Sequence, residues 1–595
     1  MDVAGWMADF SNFVWSTPTA LLLGGAGLLF TGMTLGIQFK SLTHGFAVIR
    51  GKYDNPEDEG NISHFQALCA ALSATIGLGN ISGVAVAVAT GGPGAVFWMW
   101  VVGFLGMATK FTTCSLATMY RKKDKFGEYR GGPMYYIEMG LGQDATTPGM
   151  KTLAKTLAVV FAILGASASV GAGNMFQANQ VAQIFVNLFQ NTIEGGIKDD
   201  TKFTIQMTVG VVLCVCAGLV MLGGIKRIGN VASKLVPSMC IIYVLGALYI
   251  IVTNITEVPG VFALIFESAF SQSAATGAFF GVALRTAVIQ GVRRACFSNE
   301  AGLGSAPIAH ATAKTNEPVR EGVVAATGPF IDTIVICTIT ALVVLITGTL
   351  TRSPVAEVAE ARETRSFEED GVAKLALDVR MTVLDTMAAK VDETLFVHEP
   401  PDTTGAAAGK VQFKVSEVLD GEIVATATYD DNEKGRKALE SHRARVQAGE
   451  KVFLFRTGVE LTAYAFDQGF AGFGTYFIPI AAFMFAFSTI VTWGFYGETC
   501  TVYLFGERAV LPFKCVFVAM ILVGTYSMEL QPVLDWSDAM LGLMLVPNLI
   551  GTMFLAPVVM RATKDYFRRL KAGDFEDEMR RAAEARARMR NSGRP

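Results

Sequence analysis

The apolar run from Phe65 to Ala89 is long enough to cross a bilayer, yet Ser73, Thr75, Gly77, Gly79, Asn80 and Gly83 fall inside it. Glycine weakens a helix interior by about 1 kcal/mol relative to alanine. An amide side chain in hydrocarbon is costly unless partnered. A spanning helix of this composition is expected to break in mid-membrane and free backbone amides and carbonyls there. That is tolerated only where they line a cavity or hold a ligand. Such breaks present a helix N-terminus to anions and unwound carbonyls to Na⁺. The alternative is a glycine-rich face that lets two helices approach closely. The amide of Asn80 and a second such segment further on favour the break.

Composition agrees with a membrane setting. Of 595 residues, 51% are hydrophobic and 17% charged, which describes a polytopic helical membrane protein. A net charge of −3 gives no reason to expect nucleic acid as a partner. The nine cysteines all lie in or beside apolar runs, without zinc-type spacing or a disulfide framework. The apolar stretch nearest the N-terminus has no basic region before it, so a cleaved signal peptide is not expected.

Run length predicts about eleven spans, near 18–39, 64–89, 94–120, 152–189, 202–222, 228–253, 275–311, 322–349, 475–505, 511–529 and 536–560. The fourth is too long for one straight crossing and is either tilted or made of two pieces. Arg121, Lys122, Lys123, Lys125 and Arg130 mark one loop as cytoplasmic, whereas residues 1–17 hold no Lys or Arg. Eleven crossings then put the N-terminus outside and the C-terminus in the cytoplasm. We expect a transmembrane part over 1–350, an extracytoplasmic insert over 351–460, the remaining spans over 461–563 and a charged tail over 564–595. Within the insert, the charged, alanine-rich stretch Val355–Lys390 reads as one or two helices. The alternating segments at Val411–Ser416 and Glu422–Tyr429 read as short strands, giving a small α+β domain. The stretch from Lys564 to Arg590 reads as a helix at the membrane surface or in solvent.

A second interrupted span carries Cys296-Phe-Ser-Asn-Glu-Ala-Gly-Leu-Gly-Ser-Ala-Pro307. Two breaks five spans apart fit an inverted repeat, spans two to six against seven to eleven, with one extra helix in front. This is the leucine-transporter-like architecture.

Ser73 through Gly83, Gly91-Gly-Pro-Gly-Ala-Val-Phe-Trp, Gly131-Gly-Pro-Met-Tyr-Tyr, Phe297 through Pro307 and Phe487-Ser-Thr-Ile with Trp493 and Glu498 together resemble the alanine/glycine:cation symporters. The resemblance covers nearly all the membrane part, in order, but not the insert. It implies the leucine-transporter-like fold and uptake of alanine or glycine coupled to Na⁺, or in some members to protons. It also implies a bacterial inner-membrane location. One departure follows Lys110, where the family often has a carboxylate and this chain has Phe111-Thr-Thr-Cys; Lys110 is expected to snorkel to the interface instead.

For a zwitterionic substrate, the carboxylate is expected on the amides around Gly77 and Gly79, with Asn80 bridging substrate and ion. The resemblance adds Thr75, Gln177 and its neighbour Phe176 to this site. Trp493 would wall the side-chain cavity. Gln177 and Trp493 could equally be ordinary buried groups. For Na⁺, an oxygen-seeking cation, the resemblance implies the set Ser73, Thr75, Ile76, Asn80, Ser488 and Thr489; Ser488 and Thr489 could instead bond back to their own helix. Glu300, Asp332 and Glu498 are gating or coupling candidates. Asp332 is expected near the cytoplasmic end, paired with Arg320 or Arg294 or else serving coupling. His64 and His310 read as structural. No nucleophile–base pair argues for an enzyme. A nutrient sensor that binds ligand in the insert is the rival from another class. The oligomeric state is not legible.

Overall fold

A computed structural model of the chain describes residues 3–55, 57–142, 147–192, 198–270, 277–348, 356–369, 372–383, 394–397, 411–419, 422–446, 451–454, 458–526, 531–577 and 580. The membrane part opens with α1 (Val3–Val14) and α2 (Thr17–Met33). The first interrupted span follows as α3 (His64–Thr75) and α4 (Leu78–Gly91), bent by 42° at the break. Then come α5 (Gly94–Met119), α6 (Pro148–Val170), α7 (Phe176–Thr192), α8 (Asp199–Met221), α9 (Gly224–Thr253) and α10 (Val258–Phe270). The second interrupted span is α11 (Gly277–Asn299) and α12 (Ala306–His310), followed by α13 (Pro318–Pro329) and α14 (Thr338–Ile346). Among the described residues, nine helices are long and apolar enough to cross a membrane, or ten with α3–α4 taken as one.

Local sequence explains the ends. Ser63 and Gln66 form a reciprocal capping box at the start of α3, with bonds of 3.2 and 3.1 Å. Pro318 sits at the start of α13, where its missing N–H costs nothing. The long fourth span is α6 and α7 joined by a π-helical turn, Gly171–Met175, so it is one continuous helix with a bulge. Residues 330–337 form a similar bulge between α13 and α14.

A second compact unit comprises residues 347–457 with 270–286. Its strands are β1 (Ala356–Glu369), β2 (Val372–Val383), β3 (Thr394–Val397), β4 (Val411–Leu419), β5 (Glu422–Asp430) and β6 (Lys451–Leu454), with α15 (Glu433–Arg445). They close into an antiparallel barrel in the order β1-β2-β5-β4-β3-β6. The barrel is filled by Leu377, Val379 and Met381 from β2, Phe413 and Val415 from β4, and Ile423 and Ala425 from β5.

The expected helices over Val355–Lys390 are therefore wrong for the described residues: β1 and β2 are strands. Their period-two burial outweighs the helix-forming composition. Residues 384–390 lie outside the described ones.

The chain returns through α16 (Gly458–Gly469), α17 (Phe473–Phe505), α18 (Val510–Tyr526) and α19 (Gln531–Ala572). With α11–α12 added to the ten candidate spans as a further interrupted span, two five-span runs each begin with an interrupted helix, preceded by one N-terminal span. This is the expected leucine-transporter-like order. Helices α1, α10 and α16 were not anticipated, nor were the helical turns Ile37–Lys40, Phe46–Ile49 and Pro133–Tyr136. All are short, and α10 and α16 lie in stretches read as connections. Lys564–Ala572 is not a separate helix but the end of α19; residues 581–595 lie outside the described ones.

Candidate functional site

The helix stops at Thr75 because Ile76 leaves the helical region (φ −78°, ψ 89°) and Gly77 is extended, before α4 restarts at Leu78. Gly77 is needed for space: a Cβ there would lie 2.9 Å from Thr489 Oγ1. Helix geometry leaves the amides of Leu78 and Gly79 without intrahelical acceptors. The Gly77 amide donates to Asn80 Oδ1 at 3.3 Å, so Asn80 closes the break from inside.

The second break uses left-handed backbone. Glu300 has φ +54°, Gly302 +92° and Gly304 +87°. The two glycines adopt this freely, and Glu300 is held by accepting from Ser305 Oγ at 2.6 Å. Asn548 Nδ2 on α19 donates to the Gly302 carbonyl at 2.6 Å.

Around the first break the polar groups sort into two clusters. In one, the Ser73 carbonyl accepts from Ser488 Oγ (3.3 Å) and Thr489 Oγ1 (3.1 Å) on α17. Ser73 Oγ donates to the Ser488 carbonyl at 2.7 Å and accepts from Thr492 Oγ1 at 3.1 Å. Ser488 also donates to the Phe485 carbonyl of its own helix at 2.9 Å, so the expected back-bonding coexists with the contact to α3. In the other cluster, Asn80 Nδ2 donates to Ser298 Oγ (3.0 Å) and to the Asp332 carbonyl (3.2 Å), with Cys337 Sγ at 3.6 Å. Thr333 Oγ1 donates to Asp332 Oδ1 at 2.5 Å and lies 3.1 Å from Ser298 Oγ. Asp332 Oδ2 is buried with no hydrogen-bond partner.

Of the residues expected to hold Na⁺, Ser73, Ser488 and Thr489 come together, with Ile76 following the same helix end. Asn80 faces the second cluster. Thr75 Oγ1 makes a long bond to the Leu72 carbonyl, at 3.4 Å, and its side chain also lies beside the Asp332 carboxylate of the second cluster.

Gln177 lies just past the π-helical turn. Its Nε2 donates to the Ala172 carbonyl at 3.1 Å, and its buried Oε1 has no partner. Phe176 beside it is half-buried. Trp493 packs directly on that turn: a Cβ on Gly173 would lie 2.3 Å from Trp493 Cβ. Tyr496, with its ring 5.4 Å from that of Trp493, has a buried hydroxyl without a partner.

Two expectations are corrected. Asp332 is not near an end of its span, nor paired with an arginine. It sits level with Asn80, whereas Arg320 donates to the Tyr53 carbonyl and lies 4.0 Å from Asp58. Lys110 does not snorkel. It is 1% exposed and donates to the Asn299 carbonyl at 3.1 Å, because Gly328 leaves room for its ammonium.

Glu498 is at neither break. It bonds Arg130 at 3.0 Å and Lys514 at 3.2 Å, and Arg130 also holds Asp124 at 2.9 Å, beside the basic loop. At that same end Glu321 receives both His64 and His310, with all three side chains buried. Arg121 donates there to the carbonyls of Glu59, Ala311, Ala313 and Thr315.

Sequence reasoning missed Ser298, Thr333, Thr492 and Glu321. Thr492 lies one turn from Ser488 and Thr489, so helical spacing could have found it; Ser298 and Thr333 adjoin residues already singled out, but their contacts come from tertiary packing.

A family model described as the sodium:alanine symporter family matches residues 1–384 and 446–581. The chain is 35% identical over 567 residues to the sodium/alanine symporter AgcS of Methanococcus maripaludis, covering 95% of this chain and 98% of that one. It is 34% identical over 581 residues to an uncharacterized transporter of Haemophilus influenzae, covering 97% and 99%. It is 30% identical over 564 residues to the probable sodium/glutamine symporter GlnT of Bacillus subtilis, covering 95% and 90%. Among solved structures, MhsT in complex with L-phenylalanine aligns with a TM-score of 0.47 and 11% identity, over 85% of this chain and 98% of that one.

Proposed function

We propose, from the premise that this chain belongs to the sodium:alanine symporter family and is a cation-coupled amino-acid symporter of the membrane, that its cation is Na⁺ and its cargo alanine or glycine. The observation that carries the reading is at the first break. Within a few residues it joins a convergence of oxygens (Ser73 carbonyl, Ser488 Oγ, Thr489 Oγ1) to an open helix N-terminus at Leu78 and Gly79. A hard monovalent cation suits the first and a carboxylate the second.

In this reading the substrate carboxylate rests on the amides of Leu78 and Gly79, beside the Gly77 amide that Asn80 Oδ1 holds. Asn80 orders the break, and Gln177 Oε1 is free to accept from the ammonium. Trp493, pressed against Gly173, leaves room for a methyl group but little more. Cation and substrate share one unwound segment, so each raises the other's affinity by the same factor. Access alternates as the two halves rock, with Glu300 stabilising the second break and the Arg130–Glu498–Lys514 pairs closing the basic end. The N-terminus and the 351–460 insert face outside and the basic loops face the cytoplasm.

A second reading, a proton in place of Na⁺, has one observation in its favour, the unpartnered Asp332 Oδ2. Counterflow and gradient-driven uptake of alanine and glycine in proteoliposomes separate the two. Na⁺-driven uptake that fails when choline replaces Na⁺ supports the first. Uptake that follows an imposed pH gradient and ignores Na⁺ removes it.

A further inference from the structure

Two adjacent arginines on α11 meet different fates. Arg293 pairs with Asp538 on α19 at 2.5 Å, with Ser11 Oγ at 3.4 Å. The Asp538 backbone carbonyl accepts from Trp15 Nε1 at 2.8 Å, and the Asp538 carboxylate is engaged by Arg293. Arg294 turns the other way, towards α4, where its Cδ lies 3.7 Å from the position of a Cβ on Gly83. Its guanidinium lies over the Phe297 ring at 5.8 Å. Among the described residues it makes no hydrogen bond or ion pair, and its Nε is buried without a partner.

An unpaired cation inside a membrane bundle is costly, and such groups mark substrate or ion paths. The surroundings of Arg294 fit that rule. Gly79, Phe297 and Arg294 all keep partial exposure, although Asn80 and Ser298 beside them are fully buried. The Phe297 carbonyl lies against the first turn of α4, 3.4 Å from the position of a Cβ on Gly79. These partly exposed residues line the seam between α4 and α11, along which the guanidinium precedes the amides of Leu78 and Gly79 by about one helical turn (~5 Å). It lies on the side of the breaks away from the basic loop. Among the described residues, the charges that act on Arg294 are Arg293 on its own helix and Asp538 on α19, which Arg293 holds.

We propose that Arg294 forms a first, transient subsite for the carboxylate of the incoming amino acid, which then passes to the N-terminus of α4. A planar guanidinium engages a carboxylate through two parallel hydrogen bonds, and the Phe297 ring beneath it fixes the plane. The amino acid's own charge replaces the missing counter-ion. The inference rests on the uptake reading above. A phosphate from a lipid headgroup offers the same anionic chemistry, so the test must distinguish the two sources.

The test uses the full chain in proteoliposomes, with initial rates of radiolabelled alanine uptake at fixed Na⁺. Arg294→Gln should raise KM about tenfold, and Arg294→Lys about threefold, with maximal rates within about twofold of the parent. Added choline sulfate should raise the KM of the parent and leave that of Arg294→Gln unmoved. A parent-like KM in Arg294→Gln overturns the subsite, as does a fall in maximal rate or stability alone, which is what a lipid or packing role would give. Should Arg294→Gln not reach the membrane, Arg294→Lys and the salt series on the parent decide by the same criteria. If the parent itself shows no Na⁺-driven alanine uptake, the transport reading fails and the subsite falls with it.

Discussion

Ser73 and Ser488 exchange hydrogen bonds between α3 and α17. The Ser73 hydroxyl donates to the Ser488 carbonyl at 2.7 Å, and the Ser488 hydroxyl donates to the Ser73 carbonyl at 3.3 Å. Thr489 adds a third bond to the same Ser73 carbonyl, at 3.1 Å. The end of the first half-helix is thus stitched to the helix that also supplies Trp493.

A cation drawn to these oxygens would replace hydroxyl donation with coordination. Thr489→Val keeps the shape and removes one oxygen. Its half-saturating Na⁺ concentration for uptake should rise about tenfold, with the maximal rate recovered at high Na⁺. An unchanged Na⁺ titration would place the ion elsewhere.

Asn80 satisfies the Gly77 amide with one end of its side chain and Ser298 and the Asp332 carbonyl with the other. Asn80→Ala strips the break of its internal partner and leaves buried groups unpaired, about 1–3 kcal/mol for each. We expect Na⁺-dependent alanine uptake to be abolished while membrane insertion, read by fractionation, persists. Parent-level uptake in this variant would refute the site.

Trp493 packs on Gly173, and in the proposed site that contact would bound the side-chain cavity. Gly173→Ala should destabilise by roughly 1–3 kcal/mol through overpacking and lower uptake of every substrate. Trp493→Leu should do the reverse to selectivity, so that larger neutral amino acids compete with labelled alanine. Competition profiles identical to those of the parent would mean the indole does not bound the cavity.

Lys110 is a buried ammonium held by the Asn299 carbonyl, and its charge faces Glu300 and Asp332. Lys110→Met removes that charge and leaves the buried Asn299 carbonyl without its donor, a loss on the order of 1–3 kcal/mol. The melting temperature in detergent should fall and uptake with it. A variant as stable as the parent would show that neither carboxylate depends on Lys110.

The two breaks were legible because glycine and polar side chains inside an apolar run contradict an unbroken helix, at Gly77 and Asn80 as at Gly302 and Gly304. What those breaks face was not. Nothing local to Ser298 or Thr333 says that their helices meet Asn80, since that contact arises from packing across more than 200 residues of chain. Lys110 was misread because snorkelling is the default for a lysine with no counter-ion in sequence. Gly328, on a different helix, makes the room that overrides it. The barrel strands β1 and β2 were hidden by alanine and glutamate, and only their alternating burial reveals them.

Glu321 on α13 grips His64, at the start of α3, and His310, at the end of α12. One carboxylate thereby moors both interrupted spans to a third helix at the basic end. Neither can swing aside alone: a path opened at that end must carry the two together, hinged at Gly77 and Gly302, like paired oars on a single pin.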